Sequence, residues 1–319
     1  MKRSGYQASH ARSGAVVETA LRAGQGALSA VISGFFAAAG AEPGVLLAPL
    51  TLVVAGLGSG TFVYDGRCRQ PGRGIKRPRG FVSEEDVASA ARAAVPKSMA
   101  ALALACAFHP SSSLLACSRA GVIEARAAGC RRRAEAIDLF AGLGASALSA
   151  AAFKQQLIAQ FGPVQQGLIS AEDLSYQPQL QARLQALPGQ SAIVAPAPEL
   201  VQGAAGPISD ALGIGHALIA VDAQGLFAAL SFRALPDTLP VEGWELSMPP
   251  LASPVMRGET RVSPGQVLAC PSELWVELGE GGKPRAVAAR ANRGATEMRL
   301  ERDPVSLEIS QPPHAPPLP

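Results

Sequence analysis

The chain has 319 residues, a formal net charge of +3, 48% hydrophobic and 5% aromatic residues, and 33 glycines. That is enough material for one large or two ordinary domains, and the composition excludes general disorder. A charge of +3 is too small to point to nucleic acid by itself. Five scattered cysteines with no C-x-x-C pair support neither a zinc knuckle nor a disulfide framework, so no metal or other cofactor is expected.

The N-terminus starts with basic residues, but polar and charged side chains fill the place of an apolar signal core. A cytoplasmic protein with reduced thiols is therefore expected. Residues 14–40 show helical periodicity twice, broken at Gly24-Gln-Gly26, and the second helix is rich in small residues. The apolar run 27–64 is interrupted by Glu42-Pro43 and Pro49. It falls short of an unbroken span of ~20 strongly apolar residues, so core is expected and not membrane. Residues 50–55 and 61–64 flank Gly56-Leu-Gly-Ser-Gly60 and predict a hairpin.

The stretch 67–80 then carries six basic residues and no acid. It reads either as a solvated loop or as an anion-binding segment. Without interleaved aromatics to stack on bases, nucleic acid is not the expected partner. A small carboxylate suits it better, because a guanidinium grips carboxylates through two parallel bonds. Ser83 with Asp86 has capping-box spacing and predicts a helix start. Further helices are predicted over 98–108, 114–126 and 135–153, and from Ser170 with Asp173. His109, beside Pro110, reads as a loop or cap residue.

From residue 192 the texture turns to β, with strands expected at 192–198, 216–222, 226–232, 264–270, 273–278 and 284–289. The strand headed by His216 follows a glycine-studded run and turns at Asp222-Ala-Gln-Gly225. Its first residues, Ile214, Gly215 and His216, are placed to edge a pocket. The tail 311–319, QPPHAPPLP, has little to pack and reads as disordered.

Several of these segments resemble, in the same order, motifs of the γ-glutamyltranspeptidase family. Residues 9–30 resemble the family's SHPLAAEAG opening, Glu42-Pro43 its VEP, and Asp65-Gly-Arg67-Cys-Arg69-Gln-Pro71 its DGRExAP. Ala94-Val-Pro-Lys97 stands where the family has VPG. Residues 167–174 match G-x-L-T-x-E-D-L, and 216–225 resemble THFSVVDxxG. Arg261-Val-Ser-Pro-Gly265 with Leu268-Ala-Cys270 is similar to PGKRPLSSM.

The resemblance implies an α+β fold, the αββα sandwich of the N-terminal-nucleophile hydrolases. Residues 1–205 would form a helical part with one hairpin, and 206–310 a β-rich part packed into the same core. It also implies a threonine nucleophile freed by self-cleavage, and here Ile214 holds that place. The family's carboxylate-binding serines fall on Ala269 and Cys270, and its late Gly-Gly pair falls near 291–294. Arg67 matches the family's carboxylate-binding arginine, and His216 is a second substrate-binding candidate. Ser209 or Cys270 is the displaced-nucleophile alternative, although Cys270 reads more simply as a core thiol and Ser209 as a helix cap.

The expectation is therefore an uncleaved, non-catalytic relative that binds a protein partner, a second copy of itself or a small carboxylate. One alternative is a divergent enzyme acting on γ-glutamyl compounds such as glutathione. The other is a membrane-associated helical protein.

Overall fold

The computed structural model describes residues 4–56, 60–184, 192–195, 213–235, 239–268, 270, 273–279, 283–290, 297–303 and 308–310. In chain order it forms β1 (Gly5–Ala8), α1 (Ala11–Arg22), α2 (Ala27–Ala41), β2 (Leu50–Ala55) and β3 (Thr61–Gly66). The helices α3 (Ser98–Phe108), α4 (Leu114–Ala127), α5 (Arg131–Leu143), α6 (Ala151–Phe161) and α7 (Ala171–Ser175) follow. Then come β4 (Gln181–Leu184), β5 (Ala192–Ala195), β6 (Ile214–Val221), β7 (Phe227–Ala234), β8 (Leu239–Val241) and β9 (Leu246–Met248). The chain closes with β10 (Glu273–Leu278), β11 (Pro284–Arg290), β12 (Met298–Arg302) and β13 (Ile309–Ser310).

One sheet has the order β1-β6-β7-β2-β3-β4 and a second the order β13-β12-β11-β10-β5, all pairs antiparallel. Side chains alternate between the faces of a strand. One face of the larger sheet, with Leu52, Val54, Leu218, Ala220, Leu230 and Phe232, packs on the helices. The other, with Val53, Val63, Ala217, Ile219 and Ala229, packs on Leu274, Val276, Val287 and Leu300 of the second sheet. This is the expected α+β sandwich, of which the described residues supply both sheets and one helical layer.

In α2 every residue from Ala27 to Gly40 is buried. The small-residue pattern works through backbone approach. A Cβ on Gly40 would meet the carbonyl oxygen of Gly121 at 2.2 Å, and one on Gly121 would meet that of Phe36 at 2.4 Å. The helices α2 and α4 thus touch main chain to main chain, and full burial of rings such as Phe35 contributes about 1.5–3 kcal/mol each. No single described helix is long and apolar enough to cross a membrane, although the bent pair 131–149 and 151–165 reaches that length and composition together.

Several expectations need correction. The helix expected from Ser83 is two short 3₁₀ turns, Glu84–Asp86 and Ser89–Arg92, although the Ser83–Asp86 capping box forms. The backbone beyond it is used elsewhere: Ala94 N–H donates to Pro249, Val95 pairs with Arg69, and Ala252 N–H donates to Arg92. The helix expected over 135–153 breaks at Gly144, which has φ +52°, into α5, a 3₁₀ turn and α6. The strand expected at 264–270 is a turn and a bridge, with Val267 paired to Arg69. The strands β1, β4, β8, β9, β12 and β13 were not foreseen. The junction at 205/206, Ser209, Ala269, the segment 291–294 and the tail 311–319 lie outside the described residues.

Candidate functional site

At one end of the inter-sheet face, apolar alternation gives way to polar residues. Asp65, one residue before the end of β3, lies directly opposite Thr51 of β2, Thr51 faces Ser231 of β7, and Arg233 faces Gly215 of β6. Asp65 is 0% exposed and Arg67 2%. Arg67 Nε donates to Asp65 Oδ1 at 2.8 Å and Nη2 to Oδ2 at 3.1 Å, and Arg67 N–H also donates to Oδ1 at 3.1 Å. Arg69 Nη2 adds a bond to Oδ2 at 3.1 Å. Burial lowers the Arg69 pKa, partly offset by the Asp65 charge. Arg233, also buried, donates to the Gly213 carbonyl at 3.0 Å.

Cys270 joins this group. Its residue keeps some exposure, yet burial of the thiol pushes its pKa up to about 11, against the pull of the Arg233 and Arg67 guanidinium groups. A thiol in that state stays protonated near neutral pH and is a poor nucleophile.

The loop after Arg69 is fixed from α7. Asp173 accepts from the backbone N–H groups of Gly72 at 2.8 Å, Arg73 at 3.0 Å and Ser170 at 3.0 Å. Two of the sequence motifs thus meet in space, and the carboxylate that completes the α7 capping box also holds the loop. Gln70 is locked reciprocally to Ser253, donating to its carbonyl at 2.8 Å and accepting its N–H at 2.9 Å. Lys97 lies buried nearby, donating to the Tyr176 carbonyl, and burial lowers its pKa to about 8.

His216 is not part of this cluster. Two residues from Ile214 and one from Gly215, it points to the helix face, where its ring meets His10 at 5.0 Å and Phe232 at 5.3 Å. His10 caps α1 by accepting from Ser13 N–H, and its Nε2 lies 3.4 Å from Glu42. Burial, then the His10 charge, lowers the His216 pKa, while Glu42 opposes the shift. The structure therefore brings Arg67 and Cys270 together and puts His216 on the other side of the sheet.

Ile214 is 63% exposed, and Gly215 is buried on the inter-sheet side without a side chain. Neither carries a nucleophilic atom. His109 caps α3 as expected and lies 3.3 Å from the Tyr64 hydroxyl. The residues missed were Arg233 and Ser231, and period two in LFAALSFRA is the signal that would have found them. Among the described residues no group of three or more His, Cys, Asp or Glu could hold a metal ion.

No family model matches the sequence, and no curated protein matches it. Solved structures do. The chain is similar to cephalosporin acylase from Bacillus halodurans, an N-terminal-nucleophile hydrolase, with TM-score 0.63 and 12% identity over 89% of this chain and 76% of that one. It is also similar to two LmbA2991 variants. One has TM-score 0.55 at 14% identity and the other 0.53 at 13%, each over 90% of this chain and 78% of the other. At such identities the likeness shows the fold alone, and that fold is N-terminal-nucleophile-hydrolase-like.

Proposed function

We propose that the chain is a γ-glutamyltransferase-like protein of the cytoplasm that works by binding and not by acyl transfer. The observation that supports this reading is the state of Arg67, whose Nε and Nη2 are bonded to both oxygens of a buried Asp65. A substrate carboxylate seeking that edge would have to strip a buried ion pair, at a cost of several kcal/mol. Ile214 stands where the resemblance puts the nucleophile, so the chain has no atom there with which to cut itself or form an acyl intermediate. The partner in this reading is another protein or a second copy of the chain. A small carboxylate is the ligand the arginine cluster would take if it opened.

The test is a denaturing gel of the purified protein together with turnover of a chromogenic γ-glutamyl anilide. A single species of 32.6 kDa and no turnover are expected. Two fragments cut before Ile214, or turnover that disappears in Arg67→Lys, would overturn the proposal.

A second reading, a divergent amidohydrolase acting on γ-glutamyl compounds such as glutathione, is favoured by Cys270 lying beside Arg233, Arg67 and Asp65. Turnover present in the parent protein and absent in Cys270→Ala would establish it. Turnover unchanged in Cys270→Ala would end it.

A further inference from the structure

The basic run 67–80 is only partly absorbed by the site above. Arg67 and Arg69 pair with Asp65. Arg73 stacks on the Tyr176 ring at 3.7 Å and lies 3.6 Å from Glu172, and Arg77 donates to the Glu259 carbonyl at 3.1 Å. That leaves Lys76 and Arg79, both exposed and neither with an acidic partner among the described residues.

Both line a cavity of about 370 Å³ between the loop 75–81 and the turn 163–168. Its inner surface is mostly apolar: Ala91, Leu168 and Val255 are buried, Ile75, Phe81 and Pro163 add apolar wall, and Gln166 contributes a polar amide. The walls are built before any ligand arrives. Phe81 N–H donates to Val255 at 2.8 Å and Arg257 N–H returns a bond to Phe81 at 2.8 Å, pinning the loop across the pocket. Gly80, at φ +77° and with Met256 backbone 3.0 Å from where a Cβ would sit, makes the bend that this pinning requires.

We infer that this cavity is a binding site for a small organic anion with an apolar body, its hydrocarbon against Ala91, Leu168 and Val255 and its carboxylate or sulfonate between Lys76 and Arg79. The volume falls within the range of small-molecule sites, roughly 300–1,000 Å³. The chemistry is divided as such sites divide it, with apolar walls supplying burial and a few charges at the mouth fixing orientation. The site is separate from the Asp65–Arg67 cluster and does not depend on how that cluster is read.

The test uses two fluorescent probes, 1-anilinonaphthalene-8-sulfonate and the uncharged N-phenyl-1-naphthylamine, titrated into the full chain. The anionic probe is expected to bind at one saturable site and to be displaced by decanoate. Lys76→Gln/Arg79→Gln, which alters only exposed side chains, is expected to weaken the anionic probe about tenfold and to leave the neutral one unchanged. Ala91→Leu fills the floor and is expected to abolish binding of both, with circular dichroism checking that it folds. Equal affinity of the anionic probe for the parent and the double charge variant, or no displacement by decanoate, would overturn the inference. So would binding retained in a folded Ala91→Leu protein. If Ala91→Leu fails to fold, the charge variant alone decides.

Discussion

Asp65 and Arg67, two residues apart at the end of β3, hold each other in a side-on ion pair with both carboxylate oxygens engaged and both side chains out of solvent. Such a pair contributes little net stability, because desolvation offsets the attraction, but half of it is costly. Asp65→Leu, which removes the carboxylate that the buried Arg67 and Arg69 both bond, should therefore lower unfolding free energy by about 3–5 kcal/mol. The triple variant Asp65→Leu/Arg67→Met/Arg69→Met should lose much less. Urea denaturation of the three proteins checks this, and equal losses in single and triple variants would show that the charge cluster is not the cause.

The contact between α2 and α4 admits no side chain. In Gly121→Ala the new methyl would stand 2.4 Å from the Phe36 carbonyl oxygen, where backbone and not a flexible side chain must move. The expected cost is at least about 1–3 kcal/mol, the usual range for overpacking. Gly129→Ala, at φ +75° in open space, serves as the comparison, since it tests backbone strain without the clash. A thermal melt of Gly121→Ala indistinguishable from the parent would refute the close approach.

Thiol reactivity should follow burial. Cys130 is partly exposed, and Cys68, Cys106 and Cys117 are buried. Burial raises the Cys106 pKa to about 12 and that of Cys270 to about 11. Under native conditions at pH 7.5, iodoacetamide should label Cys130 first, and Cys270 only after denaturation. Peptide mass mapping reads the order. Early labelling of Cys270 would mark it as an activated thiol and would favour the amidohydrolase reading.

Acid should weaken the fold through His216. Burial and the neighbouring His10 hold its folded pKa below the ordinary 6.5, so between the two values the unfolded chain carries more protons. Stability rises with pH in that window. It is complete above about 6.5 and is lost as pH falls through the folded value. His109, lowered by burial, adds to the effect with the same sign. His216→Phe should flatten the drop in melting temperature between pH 7.5 and 5.5. An unchanged drop would assign it to other groups.

The sandwich was legible because its central strands are long apolar runs bounded by glycine and turn residues. The segments that became β6 and β7 were found within two residues at either end. What escaped was structure set by distant partners. Residues 83–95 have the composition of a helix, but the amides of Ala94 and Val95 are drawn into bonds with Pro249 and Arg69 that only the assembled fold supplies. Residues 5–8 have no strand signal of their own and become β1 because β6 offers them an edge. For the site, the residues most visible in the sequence were named, but their sides were not. Adjacent positions on a strand face opposite ways, so Gly215 and His216 belong to different environments. Arg67 and Cys270, some two hundred residues apart, were foreseen singly and meet where residues 68–70 pair with 265–268, Arg69 bridging Val267 and Leu268 N–H donating to Cys68.

The strand order carries a consequence for handling the protein. In the larger sheet, β6 and β7 are sandwiched between β1 on one side and β2 on the other, so the early and late segments of the chain alternate like the threads of a weave. The second sheet is stitched to the first strand as well, with Arg299 N–H donating to Gln7 at 2.8 Å. A chain severed anywhere between β5 and β6 would leave two pieces that cannot part without tearing the sheet. A nicked and an intact molecule would therefore elute alike from a sizing column, and only a denaturant would tell them apart.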